Sequence, residues 1–248
     1  MNNLSLVLAV AFVLLFIAAA IWLTQLERKR LRQNVELFAG IGFQPLLKPD
    51  PQLSEQIIAH YRRGRGVRGA RSGVRVIGAP PLQVKNVFQR SHPDGDLFVY
   101  DIWDRAGEVG QVAQGAVAII RHGACLPYFK IYALGTSGGL ESAVTIQFLA
   151  KAKGQGTPVS FAELPEFSQH FTVMATGADS EDAVRSYLTP TVRQQLAGCK
   201  FFILVAGGDV LAIEDIKIQT AKPAERLEIV RCLSDQVLQL AQTLVPTK

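Results

Sequence analysis

Twenty consecutive residues without a formal charge, Leu4 to Leu23 (LSLVLAVAFVLLFIAAAIWL), constrain this chain more than any other feature. At the α-helical rise such a run is about 30 Å long, the thickness of a bilayer's hydrocarbon core. It predicts a transmembrane anchor over residues 1–23, with Trp22 at the interface where an indole is favoured. A cleaved signal peptide, with Ala18-Ala19-Ala20 as its small-residue region, would carry Lys or Arg ahead of the run. Here Arg28, Lys29, Arg30 and Arg32 follow it instead, so an uncleaved signal-anchor is expected. Basic residues resist translocation, which predicts a single-pass protein of a bacterial inner membrane, N-terminus out and C-terminal domain cytoplasmic.

Charge divides along the same line. Residues 1–75 hold 11 basic and 4 acidic side chains, while residues 76–248 hold 15 and 17. The formal +5 is therefore a +7 segment joined to a −2 remainder. With 48% hydrophobic and 19% charged residues, a highly charged disordered chain is excluded and a sizeable core is available. The expected division is an anchor over 1–23, a basic helical neck with an Arg/Gly loop over 24–73, and an α+β domain over 74–248, open to a split into subdomains near 150–165.

Cys125, Cys199 and Cys232 are widely spaced and form no Cys-x-x-Cys pair, which suits free thiols in a reducing compartment. Cys232 falls in the C-terminal helical pattern, where a small buried hydrophobe is the usual role. His60, His92, His122 and His170 give no zinc-ligand spacing, so neither a metal nor a cofactor is expected.

The helix of the anchor is expected to continue to Ala39, because Leu31, Val35 and Phe38 share one face and Gly40 and Gly42 supply a stop. Asp50-Pro51 predicts a second helix running to about Tyr61. Strands are predicted at Val74–Ile77, Leu97–Asp104, Ala116–Arg121, Tyr128–Leu134, Val144–Leu149 and Phe167–Ala175. Ser180 and Thr189-Pro190 start two helices, and Gly198 ends the second. Phe201–Ala206 and Val210–Ile216 flank Gly207-Gly208-Asp209, a hairpin signal. From Pro223 to Val245 apolar residues recur at Leu227, Val230, Leu233, Val237, Leu240 and Leu244, one buried stripe for laying across a sheet. The predicted class is α+β: an N-terminal transmembrane helix, then a mostly antiparallel sheet with a long C-terminal helix packed on it.

Candidate chemistry is sparse. Gly64-x-Gly66-x-x-Gly69 lacks the strand-to-helix context that a dinucleotide site requires. The loop around it carries Arg62, Arg63, Arg65, Arg68, Arg71 and Arg75 without an acid. Together with Arg28, Lys29, Arg30 and Arg32 these are the candidate lipid or partner contacts, since each basic residue near an anionic surface is worth about 1 kcal/mol. The aromatics that would stack nucleic-acid bases are missing from the loop apart from Tyr61, so nucleic acid is not expected. Asp94, Asp96, Asp101 and Asp104 lack the order of a calcium loop. Glu163 and Glu166 could be drawn as an acid/base pair, and Gly135-Thr-Ser137-Gly-Gly is not a nucleophile elbow. No catalytic residue is assigned.

The segment Pro165-Glu-Phe-Ser168 … Phe171 followed by Glu181-Asp182-x-Val184-Arg185 … Leu188-Thr189-Pro190 resembles a pattern of bacterial single-pass membrane-anchored proteins of unknown function. The layout resembles that group over nearly the whole chain, the specific residues only over about 165–190. The resemblance implies no activity; Arg185 is expected to pair with Glu181 at i, i+4. The functional expectation is a non-enzymatic accessory or protein-interaction subunit of a membrane complex, held in the membrane by Leu4–Leu23. The alternatives are a module binding anionic lipid through the Arg-rich neck, and a hydrolase whose site is built from distant residues.

Overall fold

The computed structural model describes residues 3–65, 82–104, 112–134, 156–161, 163, 165–176, 181–198, 203–215 and 217–244. The predicted strands at 74–77 and 144–149, the cap Ser180, Cys199, Ser137 and the arginines 68, 71 and 75 lie outside them.

The first element, α1, is one helix from Asn3 to Ala39. The apolar run and the basic neck are thus one continuous helix ending at Ala39, as the sequence pattern predicts. Among the described residues no helix is long and apolar enough to cross a membrane. The expected transmembrane anchor, its single-pass signal-anchor topology and the inner-membrane location with a cytoplasmic domain are corrected on that finding. The second half of α1 belongs to the domain, with Phe38 and Asn34 buried.

The remaining elements give an α+β fold. In chain order they are β1 (Gln44–Pro45), α2 (Pro51–Arg65), β2 (Leu82–Arg90), β3 (Asp96–Asp104), β4 (Val112–Ile120), β5 (Leu126–Ala133), β6 (Thr157–Val159), α3 (Pro165–His170), β7 (Phe171–Ala175), α4 (Glu181–Tyr187), α5 (Pro190–Ala197), β8 (Ile203–Gly208), β9 (Val210–Glu214), α6 (Lys217–Thr220) and α7 (Pro223–Leu244). The strands form one nine-stranded sheet in the order β1-β2-β3-β4-β9-β8-β5-β7-β6, and every pairing is antiparallel. The β8–β9 hairpin therefore joins β4 to β5, two strands that are neighbours in sequence but not in space.

Both faces of the sheet are covered, which is why the strands read as apolar runs with imperfect alternation. On one face Leu97, Val99, Val117, Ile119, Phe129, Ile131, Leu204 and Ile213 pack in one core with α7 residues Val230, Leu233, Val237, Leu240 and Leu244. Leu31, Val35 and Phe38 of α1 join that core, and the Phe38 ring meets Phe88 edge-on at 5.0 Å. On the other face Phe98, Tyr100, Ile102, Ala116, Ala118 and Ala212 meet Ile57 and Tyr61 of α2.

Local chemistry sets the element ends. Asp50 Oδ1 accepts the Gln52 N–H at the start of α2, and Thr189 caps α5 by accepting from Val192 with Pro190 in the first turn. Two expectations fail here. Phe167–Ala175 is not one strand: Pro165 opens a short helical turn, and the chain extends only from Phe171. Cys232 is exposed, on the outer side of α7, and accepts a contact from Gln236 at 3.3 Å.

Candidate functional site

The sheet face under α2 carries a polar cluster that the apolar pattern does not announce. Ile57, His60 and Tyr61, at i, i+3 and i+4, lie on one face of α2 and all three are buried. The His60 ring lies against the Val205 and Gly207 backbone of β8, yet neither ring nitrogen has a partner in hydrogen-bonding geometry among the described residues. Behind it Lys130 of β5 and Glu214 of β9 form an ion pair at 3.4 Å, each side chain about 95% buried (5% and 6% exposed). Burial lowers His60 to about 4; Glu214 pulls upward and Lys130 downward. The imidazole is accordingly neutral at pH 7, with one donor and one acceptor nitrogen. Burial, and then the Glu214 charge, also holds the Tyr100 phenol well above its ordinary range.

His60 forms part of the wall of a cavity of about 270 Å³ between α2, the start of β5 and the β8–β9 hairpin. Gln56, Ala59, Cys125, Tyr128, Gly207, Gly208, Asp209 and Val210 complete the wall. The hairpin makes the room. A Cβ on Gly207 would lie 2.0 Å from the Tyr128 ring, so only glycine lets the ring pack there, and Gly208 turns the chain at φ +60°. Asp209 is fixed at the turn by accepting the Gly123 N–H at 3.0 Å, with His122 Nδ1 3.8 Å from its other oxygen.

A second polar cluster ties α1 to the domain. Asp101 is buried and accepts from Asn86 at 2.7 Å and from Gln219 at 3.1 Å. Arg226 donates to Asn34 of α1 at 2.6 Å and to the Ala221 carbonyl at 2.8 Å. Burial raises the Asp101 carboxyl, against the Asn86 hydrogen bond and the nearby charges of Arg30 and Arg226. The Nε atoms of Arg30 and Arg226 are buried without a hydrogen-bond partner among the described residues.

The basic residues singled out by sequence separate in space. Arg28, Lys29 and Arg32 are exposed on α1 while Arg30 is half-buried towards Asp101; Arg62 is exposed on α2, and Arg63 and Arg65 lie at its end. The residues of the 165–190 pattern are architectural. Phe167 packs between Phe161 and Phe171, and the Ser168 hydroxyl donates to the Phe161 carbonyl at 3.4 Å. Arg185 pairs with Glu181, as its spacing predicts, and with Asp182 at 3.0 Å, and its Nε reaches the Ser160 carbonyl. Glu163 pairs with the buried Arg193 at 2.7 Å, and Arg193 stacks on Phe161; that ion pair, not an acid/base dyad with Glu166, accounts for Glu163. Asp94 sits in the β2–β3 turn, where its backbone N–H bonds His92 Nδ1 and its carboxylate accepts from Gln242 of α7.

Among the described residues no group of three or more His, Cys, Asp or Glu side chains could hold a metal ion. The sequence signal for His60 was present but unread: a histidine spaced at i, i+3 and i+4 with Ile57 and Tyr61 sits on a buried helix face. Lys130 and Glu214 carried no such signal, because 84 residues separate them.

No family model matches the chain, and no curated protein matches it either. Among solved structures it is similar to the crystal structure of the mycobacterial trehalose monomycolate transport factor A, TtfA. The identity is 13% over 88% of this chain and 97% of that one, with a TM-score of 0.44. A likeness of that size carries no inference about what this chain binds.

Proposed function

We propose that the chain is an accessory subunit that docks on another protein through the first half of α1. The observation that supports this is the exposure of Val13, Leu14, Leu15, Ile17, Ile21 and Trp22, each more than half accessible. At 100° per residue these six positions sweep roughly 200° of the helix circumference. A helix laid in a single groove presents a stripe only about 100° wide, so this one calls for apolar surface on more than one side. The partner is accordingly a protein whose own apolar helices pack around α1. Arg28, Lys29 and Arg32 are exposed one to three turns further along, which adds acidic groups on the partner at that level.

Photo-crosslinking from Leu14 or Ile21 in the full-length chain, with Gln194 on α5 as a control position, tests the reading. The expected result is a crosslink to apolar helices of one protein from the α1 positions only. Replacing Arg28, Lys29 and Arg32 by Glu should reduce the yield, and reversing acidic residues on that protein should restore it. Crosslinks confined to lipid, or to a second copy of this chain, would overturn the proposal.

A further inference from the structure

The turn between α6 and α7 is held against α1 by one side chain. The buried Arg226 guanidinium donates from Nη1 to Asn34 of α1 at 2.6 Å and from Nη2 to the Ala221 carbonyl at 2.8 Å. One helical turn nearer the N-terminus, Arg30 of α1 and Gln219 of α6 converge on Asp101, which accepts from Gln219 at 3.1 Å and lies within reach of the Arg30 charge. Lys217 and Lys222, exposed on either side of these contacts in sequence, are thereby placed beside α1 at the level of residues 30–34.

Arg28, Lys29 and Arg32 are exposed at about the same level on the free side of α1. At 100° per residue they lie roughly 120–160° round the helix from the packed Asn34. The helix thus leaves the domain through a collar of cations, three on α1 and two on the α6–α7 turn. None of the five is paired with a carboxylate among the described residues. Asp215, the nearest acid in sequence to Lys217, is turned to that residue's backbone N–H at 2.8 Å; Glu36 and Glu225 are the exposed acids closest to the collar in sequence. We propose that the collar completes the docking surface: the protein that packs round α1 ends in a rim of acidic side chains, which bears on Lys217 and Lys222 of the domain as well as on Arg28, Lys29 and Arg32. This rests on the docking of α1 and adds that the domain is seated against the partner, not suspended from it. Opposed charges at such a rim fix register and reject wrong partners, and α1 transmits that register because it runs unbroken to Ala39.

The test places a photo-crosslinking residue, in separate full-length chains, at Leu14 of α1 and at Ala224, which is exposed in the first turn of α7 beside Lys222. Ala224 is expected to capture the same protein as Leu14, through a segment carrying Asp or Glu. Lys217→Glu with Lys222→Glu should lower the Leu14 yield about tenfold at about 0.15 M salt, and much less at about 1 M, where charges are screened. Reversing the acidic residues of the captured segment should restore it. Lys217→Gln with Lys222→Gln serves as the second pair should the reversal shift the urea midpoint, with a loss of about threefold expected. Failure of Leu14 to capture a protein would overturn the docking of α1 and this inference with it. Capture at Leu14 but not at Ala224, capture of lipid or of a different protein at Ala224, or an unchanged Leu14 yield in the pair that folds would overturn this inference alone.

Discussion

His60 makes folding sensitive to mild acid. Its folded value lies near 4 against 6.5 for the free side chain, chiefly because burial penalises the imidazolium. The unfolded chain therefore takes up a proton as pH falls below 6.5 while the folded one does not until about 4. The neutral group's contribution is fully present above 6.5 and is lost progressively between 6.5 and 4, a total of about 3 kcal/mol. Urea unfolding at pH 7 and at pH 4.5 should show the loss in the wild type and a smaller one in His60→Leu. Asp101, raised by burial, works in the opposite sense, so the difference between the two proteins isolates the histidine. The Lys130–Glu214 pair beneath it gives a second outcome. Glu214→Gln leaves a buried ammonium uncompensated and should cost about 3–5 kcal/mol in chemical denaturation, whereas Lys130→Met with Glu214→Leu should come within about 1 kcal/mol of wild type or exceed it.

At the scale of elements, α1 is the instructive case. Its packed half is fastened by the Arg226–Asn34 bond at 2.6 Å and by Phe38 in the main core. Asn34→Leu removes the acceptor from a buried guanidinium and should cost about 1.5–3 kcal/mol. Hydrogen exchange should locate the loss in the amides of residues 31–39. Helix ends and hairpins were legible in the sequence because their causes are local: Asp50-Pro51, Thr189-Pro190 and Gly207-Gly208-Asp209 each act within a turn. β2 was not. Its pattern is broken by an irregular register between Lys85 and Phe88 and by Asn86 at φ 50°, so alternation fails where the ladder with β3 is interrupted. Phe167 misled in the other direction, since an aromatic of strand type serves here in the helical turn that Pro165 opens.

At the scale of the whole molecule, sheet order was beyond reading from sequence, because the pairings that define it are long-range: Ile120 lies beside Val210 and Lys130 beside Val205. The candidate site has the same origin, being assembled from α2, β5 and the hairpin: Gly207-Gly208-Asp209 and the spacing of His60 left local traces, but nothing local brings them together. Through that hairpin each half of the sheet depends on the other. Gly207→Ala would drive a methyl into the Tyr128 ring and should destabilise by more than about 2 kcal/mol. Exchange should quicken in β3 and β4 as well as in β5 and β7, and Tyr128→Ala added to it should recover part of the loss. Quickening confined to β5 and β7 would show that the halves are not coupled through the hairpin.

The position of that hairpin also bears on how the protein is made. On the ribosome β4 is complete at Ile120, but its neighbour β9 begins only at Val210, about 90 residues later. At 5–20 residues per second, β4 waits roughly 5–18 s with an open edge, and β5, whose neighbour β8 begins at Ile203, roughly 4–14 s. During that interval the nascent chain presents two unpaired strands capable of joining another polypeptide. Its biosynthesis therefore favours slow crowding on the messenger or an escorting chaperone, a demand set by strand order and not by the stability of the finished fold.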